Sequence, residues 1–492
     1  MRFSARVLLF ALALLLAIVV FRTLSFESRQ IESAPAAVAE VDAAAAADRL
    51  ARGLRHRTIS HSLEGPVEAE AFLALHRQLE ADYPRVHATL QREVVSQWSL
   101  LYTWRGKRPE EPAVLLLAHQ DVVPVDPTSV DAWTHPPFDG VIDDGTIWGR
   151  GAIDDKGSLF AILEAVEALI ESGFEPERNV LLAFGHDEEL GGDHGATAIA
   201  SLLRERGTPV DYVLDEGGAV TIDTMTLVSN PVAVVGIAEK GMASIVLSID
   251  ATGGHSSIPP RQTAIGILAA AIAALERNPM PARIDGTVDL MLDHLGPELS
   301  FPLKLVMANR WLFSTILSNV FSDDPTLDAL QRTTTAATVF HGGVKPNVLP
   351  SRVEAVVNFR VLPGDTIASV RDHVARTIDD DRITIELMDA AREPSGVAPI
   401  DSNAFVAIQK AIGSHFPDTI VTPYLVVGGT DSRYFGELTD NIYRFMPFEF
   451  TPDDRSRMHG TDERVEIRTL VRAISFYRSL IEKSAGPGFG SP

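Results

Sequence analysis

Two hydrophobic rhythms divide the chain. From residue 114 the apolar positions come in unbroken blocks: Val114-Leu115-Leu116-Leu117-Ala118, then residues 179–184, then residues 211–214. Blocks of this kind are what strands buried on both faces require. Between the first two, residues 157–172 (GSLFAILEAVEALIES) repeat at helical spacing and stop before Gly173. Strands alternating with helices predict a mostly parallel sheet, with ligands gathered at the strand carboxyl ends. Near Lys240 the rhythm changes. Residues 244–251 and 353–361 alternate apolar and polar, and helical segments follow at 263–275 and 367–378. Alternation marks antiparallel strands with one solvated face. After about Arg392 the buried pattern returns. The chain reads as an α/β catalytic unit in two pieces, 48–238 and 392–483, with an α+β unit inserted at 239–391.

The N-terminus follows a third pattern. Arg2 and Arg6 precede an apolar run from Val7 to Phe21, closed by Arg22. That run is long for a signal-peptide core and short of the roughly 20 residues of a spanning helix. No small-x-small cleavage site follows directly. Residues 1–26 are read as an uncleaved anchor whose Arg22 snorkels to the interface, with a cleaved signal peptide as the alternative. Either reading exports the rest of the chain, as a membrane-anchored extracytoplasmic protein or a secreted or periplasmic one. Residues 27–47, rich in Ala, Ser, Pro and acids, read as a linker, and residues 484–492 as a flexible tail.

With 46% hydrophobic and 22% charged residues in 492, the chain has ample core and is not disordered. Its formal charge of −23 argues against nucleic acid, which needs a basic face. There is no cysteine, so any metal must sit on His, Asp and Glu.

Such residues recur where the buried blocks end. His119-Gln120-Asp121 closes the first block, and residues two apart in a strand share a face. The imidazole and carboxylate then suit a metal ligand and its orienting partner. H-x-D alone is common and means little. Next, Gly149-Arg150-Gly151-Ala152-Ile153-Asp154-Asp155-Lys156-Gly157 places an acid in a Gly-rich turn, at a spacing that fits neither the dinucleotide nor the P-loop motif. Gly185-His186-Asp187-Glu188-Glu189 and Leu214-Asp215-Glu216-Gly217-Gly218 put acids directly after apolar runs, where buried charge must be paired or metal-bound. The last is His459 in Met458-His459-Gly460. Oxygen and imidazole donors fit zinc, with manganese or cobalt as substitutes.

The order H-x-D, G-R-G-A-x-D-x-K-G, D-E-E, D-E-G-G, G-G-H-S-S and a late H-G resembles dinuclear zinc metallopeptidase family 20, which includes carboxypeptidase S and the aminoacylases. Residues 265–271, 332–335 and 358–360 most resemble its secreted N-fatty-acyl-amino-acid synthase/hydrolase branch. The resemblance implies a zinc-exopeptidase catalytic domain with a ferredoxin-like lid and dimerisation domain. It implies two zinc ions: His119 on the first, Asp154 bridging, Glu189 and His459 on the second, and either Asp215 or Glu216 completing the first. Asp121 would orient His119, and Glu188 would be the general base. In the lid, His255 of Gly253-Gly254-His255-Ser256-Ser257 would stabilise the oxyanion. Asn347 and Arg360 would contact substrate, Arg360 as a clamp on a carboxylate. Gly429 and Thr430 would line the site. The remaining histidines, among them His135, His186, His194 and His341, read as structural or surface groups.

The implied reaction is hydrolysis of the amide of an N-acyl amino acid, or its reverse condensation. A carboxypeptidase or dipeptidase on short peptides is the alternative, and a tethered zinc- or peptide-binding protein is a rival from another class. Glu188 argues against the binder, which needs no base. Residues 301–321 (FPLKLVMANRWLFSTILSNVF) are too polar to span a membrane. They are expected to cradle an acyl chain through Trp311 and Leu312, to rest on a membrane, or to pack the lid's own core. A homodimer through the lid is a further expectation.

Overall fold

The computed structural model describes residues 2–36, 41–61, 68–223 and 228–489. Residues 37–40 of the expected linker and 490–492 of the expected tail lie outside them. Helix α1 (Arg2–Leu24) comes first, then α2 (Ala43–Leu54) and strands β1 (Gln91–Val95), β2 (Ser99–Trp104) and β3 (Ala113–His119). Helix α3 (Lys156–Glu171) precedes β4 (Val180–Gly185), β5 (Val210–Asp215) and β6 (Val232–Glu239). The alternating segment is β7 (Gly241–Asp250), and α4 (Ala264–Arg277) follows, capped by the Thr263 side chain on the Gly266 amide. Four helices come next: α5 (Gly286–Leu295), α6 (Phe301–Ala308), α7 (Arg310–Ser322) and α8 (Pro325–Gln331). Then come β8 (Thr334–Gly342), β9 (Arg352–Val361), α9 (Ile367–Ile378) and β10 (Thr384–Leu387). The chain closes with α10 (Asn403–His415), β11 (Ile420–Val426), β12 (Ile442–Arg444) and α11 (Ile467–Ala485).

The unbroken apolar blocks form the middle of a large sheet. Its order is β1-β2-β4-β3-β5-β12-β6, with β11 also on β6. The β3–β4, β3–β5, β5–β12 and β6–β11 pairs are parallel, so the ends of β3, β4 and β5 emerge on one edge. Every residue of β3 and β4 is buried, because α3 and α11 cover one face while a second apolar layer covers the other. The smaller sheet, β8-β9-β7-β10, is antiparallel throughout and packs its apolar face on α4 and α9. Its strand β9 alternates buried and half-exposed positions along its length, as the sequence rhythm required.

Two segments sit where composition did not place them. Helices α5 to α8 lie between lid strands in sequence, yet Met291, Leu295, Met307, Leu317 and Phe321 form one cluster with Val232, Val234, Ile420 and Leu425 of β6 and β11. They therefore pack on the large sheet and not in the core of the small one. Residues 29–36, read as a linker, run along the same unit: the Gln30 amide pairs both ways with the Val421 backbone, at 2.8 and 3.0 Å, and the Ala36 amide donates to Ser414 O at 2.9 Å.

Candidate functional site

The parallel strand ends deliver their acids to one place. His119 Nε2 lies 2.8 Å from Asp154 Oδ1 and 3.6 Å from Glu216 Oε1. On the other side of the same carboxylate, His459 Nε2 lies 2.9 Å from Asp154 Oδ2 and 3.3 Å from Glu189 Oε2. Asp154 thus turns one oxygen to each of two clusters, His119–Asp154–Glu216 and Asp154–Glu189–His459, and within each cluster the ligand atoms lie within 4.8 Å of one another.

Hydrogen bonds from the surrounding loops hold this arrangement. Asp121 stands 3.3 Å from His119 Nδ1 through Oδ1, accepts from Ser60 Oγ at 2.7 Å, and also accepts the Glu188 and Glu189 amides at 3.2 and 3.1 Å. One buried carboxylate therefore orients the histidine and the acidic turn together. Glu463 does the same for Asp154: its Oε1 accepts the amides of Gly151, Ile153 and Asp154, while Oε2 pairs with Arg150 at 2.6 Å. Arg150 reaches on to the carbonyls of His459 and Gly460, tying the two halves of the site. Gly151, at φ +88°, makes the turn possible, and a Cβ there would meet Val122 at 2.7 Å. His459 itself has φ +60°, a left-handed conformation that surrounding contacts must impose on a non-glycine residue.

The electrostatics explain what the site is for. Burial pushes Glu188, Glu189 and Glu216 above the usual carboxylate range, and charge on neighbouring acids adds to it. Burial opposes charge on His119, but hydrogen bonds to Asp121 and Asp154 and the charge of Glu216 overcome it and raise its pKa well above the imidazole value. Hydrogen bonds to Asp154 and Glu189 lift the half-exposed His459 to about 10. Glu189 Oε1 has no hydrogen-bond partner although it is buried. Acids crowded together out of water stay ionised only beside cations. The residues fit divalent ions: oxygens and imidazoles in two sets, with an orphan oxygen left over.

A cavity of about 620 Å³ opens from this cluster. Asp154, Glu188, Glu189, Glu216 and His459 form one end, with Gly429 and Thr430 beside them. Helices α5 to α8 form the other, through Met291, Leu292, Leu295, Met307, Phe321 and Leu330. The Thr430 loop is fixed from below by Glu239, whose Oε1 accepts the Thr430 hydroxyl at 2.6 Å and Arg444 Nε at 2.6 Å.

Several expected residues stand elsewhere. Asp215 does not join the cluster: Oδ2 accepts the Ser432 amide at 2.7 Å, and the next residue, Glu216, turns to His119 instead. One step beyond a strand end reverses the direction of the side chain, which the pattern of the strand alone could not settle. The segments that carry His255 and Asn347 run together, since the Ser256 amide donates to Asn347 O at 3.2 Å, but both residues are exposed and neither lines the cavity. Arg360 is half-buried on β9, near Arg433. Trp311 and Leu312 face outward, so the cavity wall of this segment is Met307 and Phe321. His186 is buried on Ser99 Oγ at 2.6 Å, a structural role. Arg433, which no sequence pattern marks, has its guanidinium 3.8 Å from Glu188 Oε1 and is held by Thr430 O at 2.7 Å. Its one signal is the motif Gly429-Thr430-Asp431-Ser432-Arg433, a lone cation at the end of a polar loop.

Comparison with known proteins agrees with this geometry. Residues 115–483 match the model of peptidase family M20/M25/M40. The chain is 44% identical to "Probable carboxypeptidase S-like 2" of Dictyostelium discoideum, covering 89% of this chain and 85% of that protein. It is 39% identical to "N-fatty-acyl-amino acid synthase/hydrolase PM20D1" of Homo sapiens, over 82% and 80%. Among solved structures, an M20 family metallo-carboxypeptidase of Sulfolobus solfataricus, Sso-CP2, superposes with a TM-score of 0.65 at 19% identity, covering 89% of this chain and 98% of that one. Human carnosine dipeptidase 1 gives 0.62 at 17%, covering 89% and 95%. These last two share the fold. Sequence match, fold and clustered donors together make this chain a metallohydrolase, and it belongs to peptidase family M20/M25/M40.

Proposed function

We propose that this chain hydrolyses the amide bond of N-acyl amino acids with long acyl chains, and that the same site runs the condensation in reverse. The observation that carries this reading is the cavity, acidic at one end and walled by apolar helix side chains at the other. Its volume is in the range that encloses a drug-sized ligand. A carboxypeptidase acting on short peptides would use the acidic end and leave the apolar end unfilled.

In this reading His119, Asp154 and Glu216 would hold one zinc ion, and Asp154, Glu189 and His459 a second. Two zinc ions would polarise the scissile carbonyl and ease deprotonation of water. Glu188 takes the proton from the attacking water on its carboxylate and delivers it to the leaving nitrogen, releasing a fatty acid and an amino acid. Asp121 keeps the His119 ring in one orientation. Arg360 and Arg433 supply the positive charge that an amino-acid carboxylate needs. His255 and Asn347 stabilise the developing oxyanion once the lid brings them over, or when a second copy supplies them. The exposed outer strand β8 of the lid sheet, with Val339 and Phe340 half-exposed, supports a homodimer through that edge.

For location, we assign α1 as a retained anchor with the catalytic part outside the cytoplasm. Its apolar span covers Arg6–Leu24 and meets the size of a membrane crossing. Retention is supported by Val19 and Thr23, which are buried against the body of the protein. The test of function is a substrate comparison: N-oleoyl-phenylalanine against a panel of blocked dipeptides. The reading requires the acyl substrate to have the higher kcat/KM. A preference for dipeptides would transfer the assignment to the carboxypeptidase.

A further inference from the structure

Helix α7 is apolar on two sides. Leu317 and Phe321 turn inward, and Phe321 reaches the cavity wall. Leu312, Ile316 and Val320, spaced four apart, form an outward stripe beside Trp311. These four are 43% to 63% exposed, and Phe301 on α6 is 56% exposed. No charged residue lies between Trp311 and Ser322. Scattered exposed leucines need no explanation, but four neighbouring apolar side chains on an uncharged stretch of α7 need a cover.

The position of α1 indicates what the cover is. Asn309, the residue that joins α6 to α7, donates from Nδ2 to Val19 O and to Thr23 Oγ1, both at 3.2 Å. Arg22 Nε donates to Ala308 O at 3.2 Å. Asn309 and Thr23 are fully buried, so this is a built junction. The Phe26 ring closes over Gly296 so tightly that a Cβ there would lie 2.6 Å from it. Beyond the junction, the apolar side chains of α1 from Val7 to Leu16 stand clear of the body. An apolar span of membrane-crossing length is therefore locked to α6 and to α7, which carries the outward stripe.

We infer that the outward faces of α6 and α7 seat in the surface of the same lipid bilayer that α1 crosses. Trp311 then lies at the headgroup level where its amphipathic ring is favoured, and Leu312, Ile316 and Val320 reach the acyl boundary. The consequence for catalysis is direct. Long-chain N-acyl amino acids partition into lipid, and only the thickness of α7 separates that lipid from the cavity wall at Phe321. The enzyme collects its substrate from the membrane, and the released fatty acid returns there. This inference rests on the assignment of α1 as an anchor, and its test separates the two.

The cysteine-free chain makes single-site labelling unambiguous. Four full-length variants, Leu16→Cys, Leu312→Cys, Ile316→Cys and Val94→Cys, each carry a bimane label in phosphatidylcholine vesicles. Val94 is exposed on β1, at the edge of the large sheet opposite β6 and α5. Doxyl-labelled lipid should quench the probes at 16, 312 and 316, and aqueous iodide should quench them several-fold less than the probe at 94. If the probe at 16 is lipid-quenched while those at 312 and 316 behave like 94, the seated face is wrong and the anchor stands. If all four are aqueous, the anchor reading falls and takes the inference with it. Probes at 312 and 316 shielded from both quenchers would mean that protein covers the stripe, which also overturns it. None of these readouts needs turnover, so each outcome leaves the acyl-hydrolase assignment to its own assay. Trp311→Phe gives a label-free check, since it should remove the lipid-quenched part of the intrinsic fluorescence.

Discussion

His119 and His255 are both assigned to catalysis, and the fold treats them in opposite ways. His119 ends a fully buried strand, is 1% exposed, and has both ring nitrogens matched to carboxylates. His255 lies in a two-residue strand on the lid, exposed, with Nδ1 bonded to the Ser257 hydroxyl at 2.8 Å. One is positioned before any substrate arrives; the other, in the proposed role, would have to be brought to the site. The difference teaches where preorganisation is placed. Charged groups that must sit within hydrogen-bond reach of one another are anchored on the rigid sheet edge, while the group proposed to meet the developing oxyanion stands exposed on the smaller sheet's side of the molecule.

The largest effect should come from the rigid half. Glu188→Gln keeps the shape of the side chain and removes the base, so kcat should fall by about 10² to 10⁴ with bound metal unchanged. A variant that kept more than a tenth of the wild-type kcat would remove Glu188 from the mechanism. Next comes the choice between neighbours. Glu216→Gln should lose metal from one cluster, read as a fall in zinc per chain by mass spectrometry of the intact protein. Asp215→Asn, which lacks that contact, should hold its zinc. The opposite result would return the ligand to Asp215.

The lid side of the comparison is sharpened by His255→Ala. Loss of one oxyanion donor should lower kcat by about 10² to 10³ and leave metal content alone. Mixing this variant with Glu188→Gln then asks where His255 works. If it acts across a dimer, co-refolded mixtures regain part of the wild-type rate, because one site in a mixed dimer has both groups intact. If it acts within its own chain, the mixture stays inactive and lid closure is the remaining route.

The contrast also marks how far the sequence could be read. Buried strands were legible because they show uninterrupted apolar runs, and β3, β4 and β5 lie where those runs stand. His119, Asp154 and Glu189 could be grouped because each ends or follows such a run or stands in a glycine turn, and the sheet gathers what its carboxyl ends carry, whereas His459 follows a polar stretch and joined them only through the resemblance to the family. The Asp215/Glu216 choice was not legible, since it depends on which way the chain turns after the strand ends. The packing of α5 to α8 was hidden for a different reason. Periodicity tells that a helix has an apolar face, not which sheet it will cover, and these helices cross from the lid to β6 and β11. Arg433 was overlooked because an isolated arginine in a polar loop has no pattern at all.

The smallest effect tests the far end of the cavity. Leu327 lines it and is only half-buried, so Leu327→Trp adds bulk with little strain on the core. If the acyl chain lies along α5 to α8, each methylene it buries contributes about 0.8 kcal/mol, close to fourfold in kcat/KM per carbon. The added indole should exclude roughly two methylenes, which lowers kcat/KM for an oleoyl substrate by ~15-fold. An acetyl or hexanoyl substrate is too short to meet it and should keep the wild-type value. The diagnostic is the break in the chain-length series, which should move to shorter acyl groups in the variant. Equal losses for acetyl and oleoyl substrates would mean that the residue matters for stability alone, and the acyl chain would have to lie outside this cavity.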